Sequence, residues 1–126
     1  MIKTKIIGRK NPMLREAPPK YYATALHEVT IDLNTLAVDI ANRCTVRRSD
    51  VHGVLLALMD SIPAQLAEGK IVSFGELGTF CINLKSEGAE TVDEFVPSMI
   101  TGKKIVFRPT KELRDKLLSM KVSLAN

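Results

Sequence analysis

The chain has 126 residues, of which 45% are apolar and 25% are charged, a composition typical of an ordinary soluble domain and not of a disordered chain. This length most economically forms one domain with a core of its own. The longest uncharged stretch, residues 51–59, is far shorter than the ~20 apolar residues of a membrane span, and the N-terminus lacks the apolar segment of a signal peptide, so we expect a cytoplasmic protein with no membrane partner.

The formal net charge of +4 is unevenly distributed along the chain. Residues 1–30 carry a net charge of +4 and residues 101–126 a net charge of +5, whereas residues 31–68 carry −2 and residues 69–100 carry −3. Two basic ends around an acidic middle indicate a surface that binds a polyanion. The alternative is a solvated lysine surface without any partner.

The cysteines and histidines indicate no catalytic or metal site. Cys44 and Cys81 are far apart and lack metal-ligand spacing, so we predict two reduced core residues. His27 and His52 have no carboxylate or cysteine at a useful spacing, and we predict structural roles for both. The sequence contains no nucleophile set and no glycine-rich phosphate loop. We therefore expect a protein that is not an enzyme, with no cofactor and no small-molecule substrate.

The first thirty residues predict two strands around a proline-rich loop. "IKTKIIG" (2–8) is rich in isoleucine and ends in glycine, which favours a strand. "RKNPMLREAPPK" (9–20) contains three prolines and reads as a loop. "YYATALHEVTI" (21–31) returns to a strand composition. We predict that residues 1–30 form a strand-rich extension of a domain over residues 31–126.

Two helices are predicted from the next segment, where apolar residues recur at helical spacing. The first covers residues 33–44, with Asp32 or Asn34 available as its cap. The second covers residues 48–68, and Pro63 should kink it. Their apolar stripes are wider than one small sheet can cover, so we expect two copies of the chain to associate. The alternative is that the N-terminal extension covers this surface.

The C-terminal part predicts a small sheet followed by a helix, and hence an α+β fold. "KIVSFGELGTFCINLKS" (70–86) reads as two short strands, "KKIVF" (103–107) as a third, and residues 110–120 as a helix. Arg108 and Lys111 lie on either side of the start of this helix. Since a helix N-terminus attracts anions, two adjacent cations favour phosphate as the ligand.

Three segments between residues 30 and 120 carry a resemblance to a known family. They are the helical pair "LNTLAVDIANRCTVRRSDVHGVLLALMDSI", the turn "LAEGKIVSFGELGTF" and the return strand with its helix, "IVFRPTKELRDKL". Gly-Thr-Phe at 78–80 and Phe-Arg-Pro at 107–109, followed by Lys111 and Leu113, are the most specific matches. The chain resembles the HU and integration-host-factor family of histone-like DNA-binding proteins, and in particular its extended HU-HIG group.

The resemblance implies both a fold and a function. The fold would be an intertwined homodimer with two N-side helices, a three-stranded sheet, a C-terminal helix and two β-arms that embrace double-stranded DNA. The function would be architectural, weakly sequence-selective DNA binding in the nucleoid. Arg108 and Lys111 would face DNA phosphates, and Lys103 and Lys104 would add positive charge beside them. Such phosphate contacts hold a protein on DNA without reading its sequence.

The predicted arm departs from the family pattern. The family's Gly-Phe-Gly turn is replaced by Glu76-Leu77-Gly78, which puts a carboxylate near the expected phosphates. Residues 85–97 carry a net charge of −3, with Lys85 as their one basic candidate for DNA contact. The Arg-Asn-Pro wedge of the family is missing from them, and Pro97 is the candidate replacement. "GRKNP" (8–12) echoes that wedge but belongs to the extension.

Two hypotheses stay open after this comparison. In the first, the chain is a homodimeric architectural DNA-binding protein. In the second, it is a dimeric interaction module of HU-like fold with reduced DNA bending, in which the acidic arm contacts a protein or the basic extension. The net negative charge of residues 85–97 and the carboxylate of Glu76 favour the second hypothesis. A shortened arm that packs on its own dimer is a further alternative.

Overall fold

The structure is a computed structural model that describes residues 1–124, and these residues form three α-helices and two three-stranded sheets. The predicted α+β class is confirmed. The described residues divide into two compact units, one made of Met1–Asp32 and residues 116–124, the other of Leu33–Asp115. Within the described residues, no helix is long and apolar enough to cross a membrane.

The N-terminal unit is built on a hairpin and a strand from the other end of the chain. Strand β1 (Ile2–Arg9) pairs antiparallel with β2 (Lys20–Ala25) and parallel with β6 (Val122–Leu124), so the strand order is β2-β1-β6. The buried hydroxyl of Thr4 donates a hydrogen bond to the Ser123 carbonyl oxygen at 3.0 Å. The sequence had not predicted β6.

Strand β2 is shorter than predicted, since it ends at Ala25 and not at Ile31. Its partner β1 begins at Ile2, and the Leu26 N–H, just past the end of β2, donates a 2.7 Å hydrogen bond to the Lys3 carbonyl oxygen. Beyond that point β2 has no strand to pair with. Lys3 Nζ lies 2.6 Å from the Glu28 carboxylate, and this hydrogen bond and the charge of Glu28 raise the pKa of the lysine.

The second unit begins with two helices close to the predicted ones. Helix α1 spans Leu33–Arg43 and helix α2 spans Arg48–Ala67. The Arg48 guanidinium donates to Asn34 Oδ1 at 2.8 Å, which links the starts of the two helices. Pro63 lies inside α2, which continues for another turn beyond it.

The core of the described chain is small. Its buried apolar side chains are Ala37 of α1 and Val51 and Leu66 of α2. Cys81 is half-buried, but Cys44 is exposed, so the prediction of a core position is wrong for Cys44. Cys44 follows the last residue of α1 and lies in the turn to α2, where no described element covers it.

The second sheet has the order β3-β4-β5, and all its strands are antiparallel. They are β3 (Val72–Ser73), β4 (Gly78–Ser86) and β5 (Ile100–Pro109). The Phe80 ring of β4 packs against Phe107 of β5 with ring centroids 4.9 Å apart, and against Phe74 at 5.4 Å. These rings join the turn before β4 to the sheet.

Most of the segment predicted as the arm, residues 85–97, forms a loop in this structure. Pairing of β4 with β5 ends at Ser86 and Ile100, and residues 87–96, all of them described, form no strand. A turn of 3-10 helix at Pro97–Met99 and a 2.8 Å bond from the Glu87 N–H to the Met99 carbonyl oxygen close the loop. This loop carries four carboxylates, those of Glu87, Glu90, Asp93 and Glu94.

Helix α3 spans Lys111–Leu118, within the predicted residues 110–120. The Ser119 and Met120 N–H groups donate to carbonyl oxygens three residues earlier, at 3.2 Å each, which ends the helix in a turn. The chain then enters β6.

Candidate nucleic-acid interface

The register of β4 and β5 decides which predicted DNA-binding residues share a surface. Arg108 lies opposite Thr79, Lys104 opposite Asn83, and Lys85 opposite Gly102. Since side chains alternate between the two faces of a strand, these three basic side chains lie on the same face of the strand pair. We call Lys85, Lys104 and Arg108 the basic face.

The spacing and charge of the basic face suit an extended anion. Lys85 and Lys104 are diagonal neighbours, which are about 7–8 Å apart in an antiparallel pair. Arg108 follows Lys104 by four residues, a distance of about 13 Å along a strand. Neither strand contains Asp or Glu, and no ion pair within residues 1–124 involves these three exposed side chains. They are available to bind an external anion.

Lys103 does not belong to this surface. It lies opposite Leu84, on the other face of the strand pair. There it lines a cavity of about 500 Å³ together with residues of α2 and β4, among them Pro63, Leu66 and Ile82. Lys103 was predicted to act beside Lys104, but the pleat of β5 puts the two side chains on opposite faces.

Thr110 positions the start of α3 next to the basic face. Its hydroxyl oxygen accepts a 3.2 Å hydrogen bond from the Leu113 N–H, which is the bond of an N-cap residue. The same hydroxyl donates to the Glu76 carbonyl oxygen, and the Thr110 N–H donates to the Leu77 carbonyl oxygen at 3.3 Å. These bonds fix the start of α3, whose first residue, Lys111, follows Arg108 by three residues in the sequence.

Thr110 was not among the predicted site residues, although a threonine immediately before a helical pattern is a recognisable capping signal. Its role depends on the turn before β4, because the Glu76 and Leu77 carbonyl oxygens of that turn accept its hydrogen bonds. One N–H of the α3 N-terminus is thus already used inside the protein. The basic side chains, more than the helix end, remain for an external anion.

Gly78 allows the close approach between this turn and β5. A Cβ atom on Gly78 would lie 2.5 Å from the Arg108 carbonyl oxygen and 2.6 Å from the Phe107 ring. Side chains do not occupy such distances, so only glycine fits here. Gly75, at φ +58°, turns the chain just before it.

Pro97 lies at the base of the acidic loop and not at its tip. It is the first residue of the 3-10 turn that leads into β5. The middle of the loop contains Val92, which is 91% exposed, and the Phe95 N–H donates to the Val92 carbonyl oxygen at 3.2 Å. A wedge at Pro97 would therefore have to act beside the sheet.

The described residues contain no group of three or more His, Cys, Asp or Glu side chains placed to hold a metal ion. The features that the structure does assemble here are the basic face and the capped start of α3. Cations arranged in this way are able to bind phosphate.

One solved structure of similar fold comes from Bacteroides vulgatus ATCC 8482, a candidate bacterial DNA-binding protein. Its TM-score is 0.67 at 12% sequence identity, so the likeness shows a shared fold alone. The likeness covers 98% of this chain and 47% of that protein, so this chain spans about half the length of its structural relative. None of the curated proteins matches the chain.

The family comparison covers nearly the whole chain. The model of an HU domain fused to wHTH, Ig, or Glycine-rich motif matches residues 1–123, so the N-terminal hairpin is part of the family's pattern. The resemblance inferred from Gly-Thr-Phe at 78–80 and Phe-Arg-Pro at 107–109 is confirmed. The chain belongs to the HU-HIG family.

Proposed function

We propose that the chain is a non-enzymatic, histone-like architectural protein that binds double-stranded DNA as a homodimer, through phosphate contacts and with weak sequence selectivity. The HU-HIG family and the candidate DNA-binding protein of similar fold support a DNA-binding role. In this proposal residues 31–126 form the DNA-binding domain and residues 1–30 extend it. No cofactor takes part, and the protein works in the nucleoid of the cytoplasm.

The basic face is the observation that carries this proposal. Lys85, Lys104 and Arg108 share one side of a strand pair that contains no carboxylate, and Lys111 begins the helix that follows. Lysine and arginine side chains on a rigid sheet bind the DNA backbone mainly by charge, which explains weak selectivity. Lys103 contributes less to DNA binding in this proposal, since its side chain lies on the opposite face of the strand pair.

The total exposed surface of the chain supports a homodimer. The chain exposes 10876 Å², whereas a compact monomer of 13.9 kDa exposes about 6,700 Å². Two separate compact units of the observed sizes would still expose only roughly 8,000 Å². The surface that the chain exposes beyond this value is larger than the ~800 Å² that each partner buries in a standard interface.

Helix α2 shows where the apolar surface is exposed. Its apolar residues extend around much of its circumference, beyond a single narrow stripe, although it also carries Asp50 and Asp60. An apolar helix surface of this width is normally buried. Yet Val54 is 67% exposed, and Leu56 and Met59 are exposed as well. We expect a homodimer in light scattering at micromolar concentration, and a folded monomer of 13.9 kDa would contradict this expectation.

The DNA-binding part of the proposal is tested by removing two charges. Arg108→Ala with Lys111→Ala should weaken duplex binding about equally on every sequence and lower the salt slope of log K by nearly two, on the order of 0.9 per lost contact. The assay is a gel shift at several salt concentrations. An unchanged slope would remove both residues from the interface.

A matched control removes the same charge from residues that already have partners. Arg43 lies 3.4 Å from the Asp39 carboxylate, and Lys70 lies 2.9 Å from the Glu68 carboxylate. Arg43→Ala with Lys70→Ala should leave the slope nearly unchanged. If the control lowers the slope as much as the test variant does, net charge and not a defined face governs binding.

The acidic loop supports the second candidate function, a dimeric interaction module with reduced DNA bending. Residues 87–96 contain four carboxylates and no basic residue. They also expose Val92, Phe95 and Val96, and apolar groups among carboxylates suit a protein partner better than DNA. The two functions differ in whether this loop contributes to DNA affinity.

A further inference from the structure

The hairpin of the N-terminal unit places two cations directly opposite each other. Arg9 of β1 pairs with Lys20 of β2, and the next pair on the same face is Ile7 with Tyr22. Like charges at directly opposite positions destabilise a sheet. A site of this kind becomes favourable when an anion binds between the two cations.

The protein itself supplies no such anion in the described residues. Arg9, Lys10 and Lys20 take part in none of the ion pairs found within residues 1–124. Residues 1–30 contain two carboxylates, and Glu28 is bound by Lys3 at 2.6 Å. The other, Glu16, lines a different hollow of the same loop.

The loop between the strands and these cations together enclose a cavity of about 410 Å³. Arg9, Lys10, Lys20 and Tyr22 line it together with Pro12 and Leu14. Asn11 Oδ1 accepts the Met13 N–H at 2.9 Å, and the Asn11 carbonyl oxygen accepts the Leu14 N–H at 3.1 Å. These turns give the cavity a defined wall. We call this cavity the hairpin site.

We propose that the hairpin site is a second phosphate-binding site, separate from the basic face, and that it binds the backbone of a DNA strand. This inference rests on the proposed DNA-binding function. The three cations supply the charge, and the half-exposed ring of Tyr22 supplies an aromatic surface for a sugar or a base. The N-terminal unit is then a part of the DNA interface.

The two tyrosines of the chain give a local test, because the protein has no tryptophan and both tyrosines lie in β2. Tyr22 lines the hairpin site, whereas Tyr21 lies on the other face, opposite Gly8. Tyr21→Phe leaves Tyr22 as the single emitter, and Tyr22→Phe leaves Tyr21. Polyphosphate is a suitable first ligand because it does not absorb in the tyrosine band.

We expect polyphosphate to change the emission of Tyr22 in a saturable way and to leave that of Tyr21 nearly unchanged. Arg9→Gln with Lys20→Gln in the Tyr21→Phe chain should abolish the response. Equal responses from both tyrosines, or none from Tyr22, would overturn the proposal. So would a response to anionic phosphatidylserine vesicles without one to polyphosphate or duplex DNA, since the site would then serve a membrane surface.

Duplex DNA tests the site with its proposed ligand. Arg9→Gln with Lys20→Gln should lower the salt slope of log K by nearly two, again on the order of 0.9 per phosphate contact. Arg43→Gln with Lys70→Gln is the control of equal charge. Circular dichroism of each variant checks that the fold is retained.

The outcomes separate this inference from the proposed function. If the wild-type chain binds duplex DNA, Arg108→Ala with Lys111→Ala lowers the slope and the hairpin variant does not, the hairpin site is refuted and the basic face stands. If both variants lower the slope, both sites contact DNA. If the wild-type chain binds no duplex DNA at all, the proposed function itself fails, and the hairpin site as a DNA site fails with it.

Discussion

Gly78 offers a sharp test of how the turn before β4 is packed. A Cβ atom at this position would lie 2.5 Å from the Arg108 carbonyl oxygen, and 2.6 Å and 2.8 Å from two atoms of the Phe107 ring. The backbone oxygen belongs to the β5 strand, and the ring is held by Phe80 at 4.9 Å. Neither obstacle can move without disturbing the sheet, so Gly78→Ala forces a shift of several tenths of an ångström at least.

We expect Gly78→Ala to lower the free energy of unfolding by about 1–3 kcal/mol, the usual cost of overpacking. This loss of stability is larger than the ~0.4–1 kcal/mol of stability that a Gly→Ala change gains by restricting the unfolded chain. Thermal unfolding followed by circular dichroism measures it as a drop of a few degrees per kcal/mol.

Gly102 provides the matched control in the same pair of strands. A Cβ atom there would meet the Lys85 Cβ at 4.0 Å, which is ordinary van der Waals contact. Gly102→Ala should therefore be neutral or slightly stabilising, since glycine inside a strand is unfavourable. If Gly78→Ala proves as stable as Gly102→Ala, the close packing of the turn against β5 is wrong.

Two further changes test the start of α3 and the acidic loop. Thr110→Ala should lower the free energy of unfolding by about 1–2 kcal/mol, because it removes the cap bond to Leu113 and the bond to Glu76, whereas Thr110→Ser should retain most of the stability in the same melting assay. Replacing residues 87–96 by a short Gly/Ser turn should leave duplex affinity unchanged or slightly raised, because it removes four carboxylates that DNA phosphates repel. A tenfold loss of affinity, about 1.4 kcal/mol, in a variant that is still dimeric would show that the loop engages DNA.

The helices could be predicted because their information is local. The spacing of apolar residues placed the first helix at 33–44 and the second at 48–68, and the structure has Leu33–Arg43 and Arg48–Ala67. Helical hydrogen bonds join residues four apart, so a short window of sequence contains the whole pattern. The family was also recognisable from short motifs, Gly-Thr-Phe at 78–80 and Phe-Arg-Pro at 107–109.

The structure gives a physical reason for those two motifs, which lie some thirty residues apart in the sequence. Gly78 is paired with Pro109, Thr79 with Arg108, and Phe80 with Phe107. The glycine lets the backbone approach Arg108, and the two rings pack on each other. The two motifs therefore contact each other in the structure, and neither motif alone reveals this contact.

Only the tertiary structure decided which basic residues can act together. Lys103 and Lys104 are neighbours in the sequence, but α2 packs beside one face of the sheet and leaves the other to Lys85, Lys104 and Arg108. The alternation of side chains along a strand predicts that adjacent residues lie on opposite faces, but it does not predict which face another element will cover.

The N-terminal unit shows the same limit at longer range. Its two strands were predicted from composition, whereas the pairing of Arg9 with Lys20 depends on register across a loop of ten residues. The parallel strand β6 depends on a partner at the other end of the chain, where Thr4 donates to Ser123. Strand pairing is a contact between distant segments, so the local pattern of either strand specifies that it is extended but not which segment it will join.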